Sequence, residues 1–252
     1  MNHSSTPAKE DQLQPLGKRL VSNRYYQLLE IILVFLPPAL AIVGVRLLDI
    51  ESPLYSMGAL YVANILMLAL VWLGIKLRGE TLGSIGVSPV NFSLSGTGLL
   101  VLKSIPILLV AVLAFILGTI IMANIVTSAA PADLTQYNYL QGNLLLLIAS
   151  LFGVYLISSF GEEVIYRGFL ITRIQALFGG DSKLGVIAAL TISAIIFGLA
   201  HFSWGITGIV QTTFMGAAFG AAFFWTKKIL WPLVLAHVYM DTLLLVPLYF
   251  GP

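Results

Sequence analysis

The sequence predicts an all-α fold, a polytopic membrane bundle of about seven transmembrane helices plus one amphipathic or half-membrane segment. Three observations carry this. Of 252 residues, 58% are hydrophobic and only 10% charged, whereas a soluble domain has roughly 25% charged residues. Mean hydropathy is +0.96. Apolar runs recur along the chain, each close to the roughly 20 residues that cross a bilayer as a helix. No single water-soluble core uses that much apolar surface, so the excess faces lipid.

The elements follow in order. Residues 1–25 form a polar N-terminal tail, with Lys9, Pro7, Pro15 and Gly17 and no helical apolar stripe, expected to be mobile. The apolar run that follows is longer than a signal-peptide core and lacks a small-residue cleavage site, so it reads as the first anchor. Seven stretches qualify as spans: Tyr26 to Leu47, Tyr55 to Ile75, Leu99 to Asn124, Asn143 to Phe160, Leu184 to Phe202, Ile206 to Trp225 and Ile229 to Tyr249. Pro37-Pro38 and Pro106 should kink their helices. The segment Val164 to Phe178 is amphipathic and carries Arg167 and Arg173, so it either extends the fourth span or lies at the interface. Residues 26–142 thus make an N-terminal set of helices and 143–252 a C-terminal core, within one membrane domain. The stretches 78–95 and 127–142 are turn-rich connections.

Basic residues concentrate on the cytoplasmic side of membrane proteins. With the N-terminus inside, Lys9, Lys18, Arg19, Arg24, Lys76, Arg78, Lys103, Arg167, Arg173, Lys183, Lys227 and Lys228 fall inside and only Arg46 outside. Twelve of thirteen basic residues therefore agree with seven crossings. Tyr25, Tyr26, Trp72, Trp225, Trp231, Tyr249 and Phe250 sit near span ends and read as interface anchors.

Composition excludes several classes of function. With no cysteine, the chain has no disulfide framework, thiolate metal site or cysteine nucleophile. A formal net charge of +2 gives no reason to expect nucleic acid as a partner. No internal repeat suggests a two-fold transporter. Nothing in the sequence sets the oligomeric state.

Charges at membrane depth cost roughly 3 kcal/mol each on insertion scales, and persist when paired or used. They occur here in three places. In Glu162-Glu163-Val-Ile-Tyr166-Arg167-Gly168, helical spacing pairs Glu163 with Arg167 one turn on. Glu162 points about 100° away and stays free to face a cavity. Two adjacent carboxylates in low dielectric cannot both be charged cheaply, the condition a general acid or base exploits. The second place is Phe197-Gly-Leu-Ala-His201. The third is His237-Val-Tyr-Met-Asp241, where Asp241 lies one turn from His237 and can orient its imidazole. The sixth span is crowded with small residues, Gly205, Gly208, Gly216, Ala217, Ala218, Gly220, Ala221 and Ala222. Their spacing lets helices approach closely, which should draw the two histidine-bearing spans together.

These three elements, in this order, resemble the signature of the CPBP family, which contains type II CAAX prenyl endopeptidases and bacteriocin-processing or immunity membrane proteins (the ABI family). Its motifs are Glu-Glu-x-x-x-Arg, Phe-x-x-x-His and His-x-x-x-Asn or Asp, matched here across roughly residues 145 to 245, with Tyr166 and Gly168 extending the first. The resemblance implies an intramembrane glutamate-type endopeptidase. In it Glu162 and His201 activate a water, Glu163 with Arg167 holds the motif, and His237 with Asp241 stabilises the oxyanion. The supporting residues are Tyr166 and Phe197. An Asn amide could donate to that oxyanion. An ionised Asp241 cannot, so it must be protonated or act by orienting His237. The implied partner is a prenylated or otherwise membrane-associated peptide in the bilayer, and no cofactor is required. The alternative is a zinc ion on Glu, two His and Asp, although no His-Glu-x-x-His helix is present. The expected setting is the plasma membrane of a prokaryote, with the N-terminus cytoplasmic and the site opening toward the cytoplasm between the last helices. A non-catalytic immunity or scaffold protein, or an ion-coupled transporter, would use the same buried charges differently.

Overall fold

The computed structural model describes residues 14–50, 52–89, 93–126 and 130–251, and every regular element among them is helical. Pro7 and Lys9 lie outside the described residues. The helices are α1 (Pro15–Ser22), α2 (Arg24–Leu47), α3 (Pro53–Leu77), α4 (Leu94–Ile125), α5 (Leu144–Val154), α6 (Thr172–Leu177), α7 (Lys183–Ala200), α8 (Gly205–Trp225) and α9 (Trp231–Phe250). A π-helical segment, Tyr155–Ile171, joins α5 to α6. Seven of the resulting rods are long and apolar enough to cross a membrane, as the hydropathy pattern predicts.

Local chemistry sets the helix starts. The side chains of Asn23, Ser93, Asn143 and Ser182 accept hydrogen bonds from Tyr25, Gly96, Leu146 and Gly185 amides at 2.9–3.1 Å, satisfying donors that a first turn leaves open. Proline stands in the first turn of α3 and of α9, where no intrahelical donor is lost. Leu102, Leu145 and Phe152 are largely exposed on apolar helices, the surface a lipid-facing rod presents.

Two expectations are resolved or corrected. The segment Val164 to Phe178 extends the fourth span, which runs unbroken from Leu144 to Leu177. The second half of the N-terminal tail is not free of regular structure, because α1 occupies Pro15–Ser22 and buries Leu20 against the helices behind it. Leu16 and Leu20, one turn apart, form a short apolar stripe in an otherwise polar stretch.

The helices alternate, so their ends gather in two layers. One layer holds the start of α2, the ends of α3 and α6, the start of α7 and the α8–α9 turn. Arg78 bonds Glu30 at 2.5 Å, Arg173 bonds Glu80 at 2.8 Å, and Lys228 donates to Gln175 at 3.0 Å. The linker after α3 returns into this end as a 3-10 turn, Leu82–Ile85, with Ile85 fully buried. Gly86 takes a positive φ of 88° and its carbonyl accepts from Leu230 N–H. Trp231 donates to the Ser88 carbonyl at 2.6 Å and stacks on Phe160. Trp231 is therefore a clamp on the linker rather than an exposed interface anchor.

At the opposite layer the connection after α4 packs across the bundle. Thr207 donates to the Ala130 carbonyl, the Asp133 amide to the Trp204 carbonyl, and the Gly142 amide to the Tyr249 carbonyl. Hydrogen bonds from the Thr135 hydroxyl and amide hold the exposed Asp133 carboxyl below its ordinary range.

Small residues work as expected. Gly198, Gly216 and Gly220 let α7 and α8 close on each other: a methyl at Gly198 would stand 2.7 Å from the Ile209 carbonyl. On its other side α8 packs against α4, where a methyl at Gly118 would meet the Gln211 backbone at 2.7 Å. The α8 helix also meets the second histidine-bearing helix, because its Phe219 ring stands 5.3 Å from that of His237 on α9. Phe197 of α7 reaches the same ring, as described next.

Candidate active site

The π segment carries the first motif. Winding i→i+5 is rare, usually limited to one turn, and common at functional sites; here it runs for 17 residues and includes both glutamates. The motif was expected in α geometry, yet Glu163 and Arg167 still pair at 2.9 Å.

Glu163 is fully buried and its Oε1 accepts from two groups, Arg167 Nη1 at 2.9 Å and His237 Nδ1 at 2.8 Å. The Arg167 guanidinium, 1% exposed, lies over the ring of Phe197 at 4.3 Å and of Phe219 at 5.1 Å. A cation–π contact is worth about 2 kcal/mol when the cation is desolvated, as Arg167 is. Arg167 is thus interior, not one of the loop charges that set orientation.

Phe197 is the hub of the second motif. Its ring centroid lies 4.8 Å from that of His201 and 6.3 Å from that of His237, and Tyr166 meets it edge-on at 5.1 Å. Its backbone carbonyl contacts His201 Nδ1 at 2.9 Å. A carbonyl only accepts, so this contact puts the proton on Nδ1 and leaves Nε2 as the basic nitrogen in neutral His201.

The third motif differs from expectation. Asp241 Oδ1 stands 3.9 Å from His237 Nε2, beyond hydrogen-bond range. Glu163, not Asp241, orients the His237 ring. Asp241 is held by Ser159, whose hydroxyl donates to Oδ2 at 2.6 Å. Ser159 was missed from the sequence; the signal was a serine pair, Ser158-Ser159, in an apolar run one turn before the glutamates.

These groups meet at one cavity of about 570 Å³. Glu162, His201, His237, Asp241 and Tyr166 all line it, among mainly apolar side chains from α2, α3, α4 and α9. Glu162 diverges from Glu163 as the helical spacing suggests, and its Oε2 is buried with no hydrogen-bond partner. Glu163, Arg167 and Phe197 lie behind this wall rather than in it. Among the described residues no three His, Asp or Glu side chains are grouped as metal ligands.

A comparison with curated proteins gives no match, and neither does one with solved structures. A scan of family models gives one, described as type II CAAX prenyl endopeptidase Rce1-like, over residues 143–243. That segment begins at the cap of α5, contains all three motifs and ends just past Asp241. Residues 143–243 of this membrane protein, its C-terminal core, are thus similar to the Rce1-like model, which is consistent with a CPBP family protease.

Proposed function

We propose that the protein is an intramembrane endopeptidase that hydrolyses a peptide bond of a prenylated or otherwise membrane-associated peptide with a water activated by Glu162 and His201. The observation that carries this is the unpartnered Glu162 Oε2, buried in the cavity wall alongside His201, whose Nε2 is left basic. An unsatisfied buried carboxylate oxygen is costly, which suits it to accept a hydrogen bond from the attacking water.

In the reaction, water gives a proton to Glu162 or His201 Nε2 and its oxygen attacks the scissile carbonyl carbon. The carbonyl π electrons move to oxygen as an oxyanion. Collapse breaks the C–N bond, and the proton taken from water passes to the leaving amine. His237 is the oxyanion donor. With Nδ1 turned to Glu163, it donates through Nε2 only as an imidazolium, between the carboxyl groups of Glu163 and Asp241. An aspartate at 241 therefore suits the chemistry without having to donate itself: it counters the imidazolium charge. Preorganised donors of this kind contribute about 3–4 kcal/mol to transition-state binding. No metal takes part in these steps.

The test is cleavage of a farnesylated CAAX peptide, and of an unprenylated membrane-anchored peptide, by purified protein with and without chelator. Wild-type turnover that persists in chelator and disappears in Glu162→Gln supports the proposal. Loss in chelator returns the zinc reading. A cellular phenotype that survives Glu162→Gln, with no turnover in wild type, makes the protein an immunity or scaffold protein.

A further inference from the structure

The two layers of helix ends differ in charge. Every described Lys and Arg except Arg46 and the interior Arg167 belongs to the layer, or the half of a helix, that holds Arg78, Arg173 and Lys228. The cavity lies in the other half. Its wall includes Gln136 and Tyr137 from the turn after α4, and Ser203 and Trp204 from the α7–α8 turn. It also takes Ile42 near the end of α2 and Met57 near the start of α3, both at the same layer.

Toward the basic layer the bundle is filled. Below His237 come Phe197, Phe219 and Arg167, then Phe223, Leu230 and Ile85, none more than 1% exposed. Gly168 closes this floor, because a methyl there would stand 2.5 Å from the Ile85 carbonyl. The ion pairs of Glu30 with Arg78 and of Glu80 with Arg173 seal it beyond. The sequence-based expectations of a cytoplasmic basic layer and a cytoplasmic opening therefore cannot both hold.

We infer that the site takes its substrate from the membrane face opposite the basic layer, the non-cytoplasmic face, and so acts on peptides that have already been exported or inserted from outside. The inference rests on the proposed peptidase reading for its substrate and on charge asymmetry for its direction, since cytoplasmic loops retain Lys and Arg.

The absence of cysteine makes the test direct. Single substitutions Ser203→Cys at the cavity rim, Asn64→Cys in its wall and Lys183→Cys at the basic layer are treated in intact cells with a membrane-impermeant maleimide. Labelling of Ser203→Cys and Asn64→Cys, with Lys183→Cys labelled only after lysis, supports the inference. The reverse pattern overturns it. In oriented proteoliposomes a membrane-anchored peptide should be cleaved when added on the Ser203 side and not on the Lys183 side; cleavage from the Lys183 side alone also overturns it. If no peptide is cleaved from either side, the peptidase reading fails, while maleimide access to Asn64→Cys still decides which face the cavity opens to.

Discussion

Glu162 and Glu163 are adjacent, carry the same kind of side chain, and should respond to the same substitution in opposite ways. In Glu163→Gln the fully buried carboxylate that binds both Arg167 and His237 is lost. Removing one partner of a buried ion pair costs about 3–5 kcal/mol, because the other charge stays buried and uncompensated. Phe197 and Phe219 retain part of the Arg167 stabilisation, so the lower half of that range applies. For a chain of this size the loss corresponds to a drop in Tm of roughly 10 °C. In Glu162→Gln no partner is lost, since Oε2 has none, and a neutral amide in the cavity wall is cheaper to bury than a charge. That variant should melt at or above the wild-type temperature and show no turnover. The assay is thermal unfolding in detergent beside peptide cleavage, with both variants purified in parallel. A Glu163→Gln protein as stable as wild type, or a Glu162→Gln protein that melts like Glu163→Gln, would refute the division of the pair into structure and chemistry.

Other outcomes follow from single contacts. Gly168→Ala should destabilise by about 1–3 kcal/mol through overpacking against the Ile85 carbonyl, whereas Gly44→Ala, with nothing within 4 Å of the added methyl, should melt no lower than wild type. Ser159→Ala removes the hydroxyl that holds Asp241 Oδ2; kcat should fall with KM little changed, and Ser159→Thr should restore it. His201→Gln should abolish turnover in an otherwise folded protein, because Nε2 is the only basic nitrogen that His201 brings to the cavity. Wild-type cleavage should be unaffected by prolonged chelation, measured as the initial rate after dialysis.

Sequence periodicity was enough to reveal what depends on length and hydropathy. The seven rods, the Glu163–Arg167 pair and the divergence of Glu162 all follow from spacing along one helix. Contacts between helices were not legible in that way. The His237–Asp241 spacing suggested a bond within α9, but Glu163 from another rod reaches His237 first and Ser159 takes Asp241. Arg167 looked like an interfacial charge because sequence hydropathy cannot distinguish a cation at a helix end from one capped by two phenyl rings. The glycines of α8 marked close packing on α7 but not the equally close seam with α4 at Gly118, since small residues have no direction. The short helix α1 was hidden in a polar stretch because two leucines one turn apart are too few to register as a stripe.

Phe197 has a consequence of its own. One benzyl group separates the two imidazoles and its face cushions a guanidinium, while the main-chain carbonyl of the same residue fixes which nitrogen of His201 is free. It never reaches the cavity's contents, yet shrinking it would simultaneously loosen a charge and the gap between two rings. In a saturation screen scored by activity, this hydrocarbon position should give the all-or-nothing profile usually taken as the fingerprint of a reacting group, and only a stability readout alongside would tell the two apart.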